Sequence, residues 1–317
     1  MTFNLTQKIP LVFVVGSTAS GKSELALRLA EQYGGVVVNC DSVQFYKSLE
    51  IGSASPSQQD KLRAPHYLYN YLDCPSEMTA GQFVRDFYQL LQHQSFQGPI
   101  FVVGGTGFYI QALEKGMYDI PEVSDEIKKQ VVLDMQVKGT SDMYQELVAF
   151  DPKTAIHPND AYRIGRALEV KRQFGKKMSD LIMEAEQKTK NGWPFEYLKL
   201  GLNPEKEIIR RRISQRTEVM LKSGMIEEVN QFIGSSHEDW APLNSVGYWE
   251  VKEFLKGRIQ QSELAAQINL STSQLVKKQR TWFKRDQSIL WSDSVDKIKL
   301  NLGSQIDQFL EQFAREN

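Results

Sequence analysis

Apolar and polar positions along the chain sort into two alternating kinds of segment. Leu11-Val12-Phe13-Val14-Val15, Val36-Val37-Val38 and Ile100-Phe101-Val102-Val103 are short uninterrupted apolar runs rich in β-branched residues. That is the pattern of strands buried on both faces. Between them the period becomes helical, from Glu24 to Gln32 and from Thr79 to His93. In the second segment Phe83, Phe87, Leu90 and Leu91 share a face, and Thr79 is placed to cap the first turn. Strands separated by helices predict a parallel, doubly wound α/β sheet with ligands received at the carboxyl ends of its strands.

From Tyr118 to about Pro194 the chain is charged, helical in period and punctuated by Pro121, Pro152, Pro158 and Pro194. This segment reads as a helical insertion. Tyr197-Leu198-Lys199-Leu200-Gly201-Leu202 then returns to the sheet as a strand, helices rich in Arg and Lys follow, and Ile289-Leu290-Trp291 reads as a last strand. The expected division is a core of residues 1–117 and 195–317 and an all-helical domain over 118–194.

Composition narrows this picture only a little. A chain of 317 residues has room for two domains, and 41% hydrophobic with 24% charged residues is ordinary for a globular protein. Cys40 and Cys74 cannot build a disulfide framework and lack metal-ligand spacing, so a reduced, cytoplasmic setting is expected. The apolar run at 11–15 is too short for a signal peptide or a membrane span, and no membrane association is expected. A net charge of −1 argues against indiscriminate nucleic-acid binding but leaves room for a local basic groove.

The chemistry begins with Gly16-Ser17-Thr18-Ala19-Ser20-Gly21-Lys22-Ser23, a complete phosphate-binding loop between a strand and a helix. Its backbone N–H groups and the helix N-terminus suit phosphate oxygens, Lys22 adds a point charge, and the Ser23 hydroxyl suits Mg²⁺. The loop alone leaves open whether the phosphate belongs to ATP. Asp41, directly after the second strand, is a general base, an indirect Mg²⁺ ligand or the cap of a following helix. Many phosphate-loop hydrolases end the next strand in a metal-binding Asp, whereas here Val103 runs into Gly104-Gly105-Thr106. The glycines allow close approach of backbone to substrate, and the Thr106 hydroxyl can donate to a phosphate oxygen. Arg163 and Arg166 share a helix face, either for a phosphate or for a pair with Glu169. Arg212 and Arg216 lie one turn apart. The segment 277–285 interleaves basic residues with Trp282 and Phe283, which suits stacking on nucleic acid or, equally simply, an amphipathic core helix.

Together these segments resemble the tRNA dimethylallyltransferase (tRNA isopentenyltransferase) family nearly end to end. The residues that carry the resemblance are the loop 16–23, Asp41-Ser42 with Gln44 and Tyr46, Ile51-Gly52, Ala64-Pro65-His66, Val103-Gly104-Gly105-Thr106, His157-Pro158-Asn159-Asp160, Arg166-Ala167-Leu168-Glu169-Val170, Val246-Gly247-Tyr248, and Lys278-Gln279 through Thr281-Trp282-Phe283. The resemblance implies a P-loop NTPase-like α/β fold, a parallel sheet flanked by helices with an inserted all-helical domain. It implies transfer of a dimethylallyl group from dimethylallyl diphosphate to the exocyclic amine of the adenosine immediately 3′ of the tRNA anticodon. Asp41 then matches the general base, with Thr106, Arg216, the loop 16–23 and Mg²⁺ near Ser23 around the diphosphate. Contacts to tRNA are implied at Asp41, Ser42, Val43 and Gln44, at Thr106, at Lys128, and at Tyr162, Arg163, Ile164, Gly165 and Arg166. They continue at Asn244, Ser245, Val246, Gly247, Tyr248 and Trp249, and at Lys277, Lys278, Gln279, Arg280, Thr281, Trp282, Phe283 and Lys284. The helical domain would close on the anticodon stem, and the enzyme would act as a monomer.

Ser17 stands where most members carry Pro. Trp249 stands where the family places a basic or amide residue, so stacking would have to replace a phosphate contact there. The absence of a C-terminal zinc-finger pattern marks the bacterial type. Two rival readings remain at this level: a phosphate-loop kinase using ATP, and a non-catalytic RNA-binding module that senses nucleotides. The first leaves Gly104-Gly105-Thr106 and the basic segment unexplained, and the second leaves Asp41 and Thr106 without a task.

Overall fold

The computed structural model describes residues 10–116, 123–190 and 195–316. In chain order the elements are β1 (Leu11–Gly16), α1 (Lys22–Tyr33), β2 (Val36–Asn39), α2 (Gln58–Arg63), β3 (His66–Tyr67), α3 (Ala80–His93), β4 (Ile100–Gly104) and α4 (Gly107–Lys115). Three helices follow: α5 (Asp125–Phe150), α6 (Ala161–Phe174) and α7 (Met178–Lys190). The chain ends with β5 (Tyr197–Leu202), α8 (Lys206–Lys222), α9 (Met225–Asn230), a short 3-10 turn (Ala241–Asn244), α10 (Tyr248–Leu255), α11 (Gln261–Phe283), β6 (Ile289–Ser292) and α12 (Val295–Glu316).

Six strands make one sheet in the order β3-β2-β4-β1-β5-β6, and every pairing is parallel. The expected α/β sheet is therefore present, with β1 near its centre. Val14 lies beside Val103 of β4 on one side and Leu200 of β5 on the other. All six residues of β1 and all five of β4 are buried, which is why both read as unbroken apolar runs. The period of two nevertheless sorts their side chains. Val12, Val14, Val37, Phe101, Val103, Leu200 and Leu202 share one core with Leu25, Ala26 and Leu29 of α1 and Ile298, Leu302 and Ile306 of α12. A second, aromatic core surrounds α3, with Phe83 and Tyr109 stacked at 5.6 Å and Phe45 within 6.0 Å of Tyr109. Thr79 caps α3 by accepting from the Gln82 N–H at 3.1 Å.

Topology decides where chemistry can happen. β2, β4 and β1 are neighbours in the sheet although β3 and three helices separate them in the chain. Their carboxyl ends bring the segments after Gly16, Asn39 and Gly104 to one edge of the sheet. β3, only two residues long, had no apolar run to announce it.

The chain divides into two compact units, Met1–Ile110 with Pro194–Asn317, and Gln111–Trp193. In the second unit α5, α6 and α7 enclose Val131, Met143, Leu147, Ile164, Leu168, Met178 and Leu181. α5 is broken at Gly139, whose φ of 80° belongs to the left-handed region. Asp151, fully buried at the end of α5, accepts from the Ser179 N–H (3.0 Å) and hydroxyl (2.6 Å) in the first turn of α7. Asp151→Ala leaves both donors unpaired and is expected to cost about 1–3 kcal/mol, read as a lower urea midpoint of the full chain. An unchanged midpoint would show that water replaces the carboxylate freely.

Candidate active site

Residue by residue, the loop after β1 is braced from both sides. Gly16 has no room for a side chain, since a Cβ there would lie 2.7 Å from the Leu202 carbonyl oxygen and 2.7 Å from Ser20 Oγ. Arg212 on α8 donates through Nη1 to the carbonyls of Ala19 (3.3 Å) and Ser20 (2.9 Å). From α11, Gln279 accepts from the Thr18 N–H at 2.8 Å and donates to the Gly105 carbonyl at 3.1 Å. One amide thus ties the loop after β1 to the turn after β4. Ile209 and Ile213 of α8 and Val276 of α11 pack together, with Ala19 against them. Ser17, Ser20 and Lys22 are buried, Thr18, Ala19 and Gly21 are half-buried, and Ser23 is exposed on the first turn of α1.

Lys22 keeps 8% of its surface exposed, and burial pulls its ammonium below the usual lysine range. The Asp41 charge opposes that shift and the Arg216 charge adds to it. Arg216 is held below its ordinary value in the same way, by burial first, with Asp41 and Tyr248 opposing. Lys22, Arg216 and Asp41 therefore sense one another as a cluster of two cations and one carboxylate, drawn from α1, α8 and the loop after β2. Arg216 Nη2 donates to the Ser53 carbonyl at 3.2 Å.

Asp41 caps no helix. Its Oδ1 accepts from the Val43 N–H at 3.3 Å in a local turn, and its own N–H donates to Asn39 Oδ1 at 2.8 Å. The carboxylate is half-exposed. The Ser42 N–H donates to Thr106 Oγ1 at 3.2 Å, and that hydroxyl donates to Ser42 Oγ at 3.4 Å, so the ends of β2 and β4 are joined. Gln44 turns its amide onto the Ser53 and Ala54 carbonyls, both at 3.0 Å.

The glycines after β4 answer to a different demand from the one expected. A Cβ on Gly104 would meet the Cys40 carbonyl oxygen at 2.0 Å, one on Gly105 the Gln279 amide at 2.5 Å, and one on Gly107 the Trp282 ring at 2.0 Å. What presses on this turn is the protein itself, the segment after β2 and the end of α11.

Outside this centre, a basic and aromatic surface covers α10 and α11. Lys277, Lys278, Thr281, Trp282 and Arg285 line a hollow of about 290 Å³. Asn244, Val246, Trp249, Glu250, Ser271, Gln274, Leu275 and Lys278 line another of about 200 Å³, so Lys278 borders both. Trp249 is 45% and Trp282 36% exposed, and Lys284 is exposed. Ser245 and Val246 are half-buried and Gly247 is buried. Phe283 and Tyr248 pack inside, so their side chains offer no surface to a partner. Arg280 donates to the Pro204 carbonyl and Thr281 Oγ1 to the Lys277 carbonyl at 2.9 Å.

In the helical unit, Tyr162 is 83% exposed, whereas Ile164 and Gly165 are buried. Lys128 pairs with Asp125 at 3.0 Å, Arg163 with Asp160 at 3.3 Å, and Arg166 with Glu169 at 2.6 Å, the pairing already weighed for it.

A phosphate loop on a parallel sheet, beside a carboxylate and a hydroxyl on adjacent strand ends, defines a phosphate-loop enzyme of the α/β class. A family model described as IPP transferase matches residues 44–286. A tRNA dimethylallyltransferase of Bdellovibrio bacteriovorus is 49% identical over 286 residues, 89% of this chain and 92% of that protein. A Geotalea uraniireducens enzyme named tRNA dimethylallyltransferase 2 is 38% identical, over 90% of this chain and 92% of its own length. Among solved structures, a tRNA isopentenylpyrophosphate transferase from Staphylococcus epidermidis aligns with TM-score 0.66 and 27% identity over 95% of this chain and all of that one. A eukaryotic dimethylallyltransferase acting on tRNA aligns with TM-score 0.73 and 25% identity over 98% of this chain and 80% of that one. The chain belongs to the IPP transferase family.

A buried cation beside another cation opposes folding, so Lys22→Met is expected to melt at or above the wild-type temperature while losing affinity for inorganic pyrophosphate. The lowered pKa of Lys22 gives this effect a direction in pH. Its penalty on folding is full below the folded-state value and fades as pH rises from there toward the ordinary lysine value, and pyrophosphate affinity falls over the same range. Thermal melts and calorimetric titrations across pH read both. A melting temperature clearly below wild type would show that Lys22 is a structural rather than a ligand-binding charge.

Proposed function

We infer that this enzyme transfers a dimethylallyl group from its diphosphate to the exocyclic amine of the adenosine immediately 3′ of the anticodon in tRNA. The observation that carries the mechanism is the grouping of two cations, buried Lys22 and half-buried Arg216, with a carboxylate, Asp41, at the mouth of the phosphate loop. The cations suit a leaving diphosphate. The carboxylate suits removal of a proton.

The adenine amine is a poor nucleophile, because its lone pair is delocalised into the ring. As its nitrogen bonds to the allylic carbon, the carbon–oxygen bond to diphosphate breaks and the diphosphate takes the electron pair. The proton released from nitrogen goes to Asp41. Charge builds on the diphosphate as it departs, and the loop 16–23, Lys22 and Arg216 are the preorganised donors for it, each of a kind worth roughly 3 kcal/mol, joined by the Thr106 hydroxyl once its proton turns from Ser42 Oγ. The target base must leave its stack to reach the carbon.

Mg²⁺ fits this donor set. The ion keeps several waters and prefers phosphate oxygens to an all-protein cage, and among the described residues no three His, Cys, Asp or Glu side chains are grouped to form such a cage. Ser23, exposed on the first turn of α1, would hold it together with diphosphate oxygens, with Asp41 in indirect contact. Bound there, Mg²⁺ neutralises charge on the leaving group.

Trp249, Trp282, Lys277, Lys278 and Lys284 supply exposed rings and ammonium groups for the RNA, and Lys128, Tyr162 and Arg163 supply contacts from the helical unit. Among the described residues no helix is long and apolar enough to cross a membrane. The kinase reading is disfavoured because β4 ends in Gly104, where a metal-binding acid would stand.

Incubation with labelled dimethylallyl diphosphate, Mg²⁺ and unmodified tRNA, followed by digestion to nucleosides, should yield prenylated adenosine. Phosphate transfer from ATP without that product would overturn the assignment. Asp41→Asn should abolish turnover yet leave tRNA affinity within a few-fold. A wild-type rate in that variant would remove Asp41 as the base.

A further inference from the structure

The Arg216 guanidinium does not position itself. Its Nη2 is aimed by the Ser53 carbonyl at 3.2 Å, and Ser53 sits in an irregular loop with no strand or helix of its own to hold it. What holds that loop is Glu228, on α9. One carboxylate oxygen accepts from the N–H groups of Glu50 and Ile51, both at 2.7 Å, and the other from Gly52 at 2.9 Å. Three consecutive backbone donors converging on one carboxylate form an anion nest, and charge-assisted bonds of this kind are among the stronger ones in proteins.

The same carboxylate reaches a fourth donor, the Tyr248 hydroxyl at 2.7 Å. Tyr248 is fully buried, and its ring lies so close beneath Gly52 that a Cβ there would be 2.5 Å from Cζ. Beyond the nest, the Ser53 carbonyl serves Gln44 as well as Arg216, and the Gln44 N–H donates to the Asp41 carbonyl at 3.3 Å. One carboxylate, remote from the phosphate loop in sequence, therefore sets the loop that aims the leaving-group cation and steadies the turn bearing the base.

We propose that Glu228 is a positioning residue for the transfer reaction, acting through the 50–53 loop on Arg216. This rests on the reading of Arg216 as a diphosphate ligand. Glu228→Gln keeps the volume but puts an NH₂ group against backbone donors, which releases part of the nest.

The test is a double-mutant cycle over wild type, Glu228→Gln, Arg216→Ala and the double variant. Each is measured for kcat and KM with dimethylallyl diphosphate and for affinity to inorganic pyrophosphate with Mg²⁺. Glu228→Gln should weaken pyrophosphate binding and lower kcat about tenfold with Arg216 present, and less than about twofold in the Arg216→Ala background. Equal losses in both backgrounds would overturn the proposal, since a merely structural carboxylate lowers stability without coupling to Arg216. If Glu228→Gln fails to fold, Glu228→Asp keeps the charge but shortens the reach, and the same cycle decides with it. Coupling in pyrophosphate binding from a wild type that prenylates no adenosine would refute the transfer reading and still support the role of Glu228.

Discussion

Two like charges, Lys22 in the interior and Arg216 half-buried beside it, are held near one another with Asp41 as the carboxylate that offsets both, and much of the architecture around the sheet edge answers that constraint. Burial disfavours each charged form, and the repulsion between them adds to the cost. Such a cluster persists only where surrounding structure prevents it from relaxing apart. Arg212 grips the carbonyls of Ala19 and Ser20, Gln279 grips Thr18 and Gly105, and Ser53 receives Arg216. Each brace is directed at backbone, so none of them consumes the charge that a diphosphate would meet. An excess of positive charge held in this way is suited to an anion, and suits the proposed diphosphate.

That requirement explains why the chain must return to its own beginning. A phosphate loop made only by β1 and α1 has nothing to hold its outer carbonyls. α8 and α11 supply that support from residues more than 190 positions later, and their mutual packing through Ile209, Ile213 and Val276 keeps the two braces in step. The glycines after β4 belong to the same arrangement. Any side chain at Gly105 or Gly107 would push Gln279 or Trp282 away, so the turn is bare in order that α11 can reach across it. Thr106, the one residue of this turn with a hydroxyl, then meets Ser42, and the bases of the second and fourth strands are locked together.

The parts legible in the sequence were those written locally. β1, β2 and β4 announced themselves because a strand covered on both faces is apolar throughout, and α3 did so through its spaced aromatics and the Thr79 cap. The phosphate loop is legible for the same reason, since its conformation depends on its own residues. β3, two residues at the sheet edge, has no local signal. Glu228 and Arg212 were not legible as site residues, because a carboxylate among helical charges looks like any solvated Glu and an Arg one turn before another looks like a phosphate ligand. Gln279 carried a family resemblance pointing to RNA, yet its two bonds run to the phosphate loop and the glycine turn. What distinguishes all three is a partner far away in sequence, which no window of residues contains.

Charge distribution raises the same point on a larger scale. A chain with net charge −1 has no general attraction for a polyanion, and many of its surface cations are engaged by neighbouring acids, as Lys128, Arg166 and Arg172 are. Lys277 and Lys278 instead share one stretch of α11 with Trp282, Lys284 follows in the turn after it, and Lys278 borders the hollow that Trp249 also lines. RNA affinity depends on cations close to phosphates, since the protein's total charge is screened within about one Debye length, roughly 8 Å at physiological salt. A few ammonium groups beside exposed rings can therefore hold a strand that the rest of the surface ignores, and the rings suit unstacked bases more than a regular duplex. One helix thus carries two kinds of residue: Gln279 braces the phosphate loop, Lys277 and Lys278 are exposed, and Trp282 lies between, one side of its ring against Gly107 and the rest open to solvent. Because Gln279 and Trp282 lie three residues apart on that helix, the side chain that bonds the phosphate loop and the ring that packs on the glycine turn share one face and are fixed relative to each other.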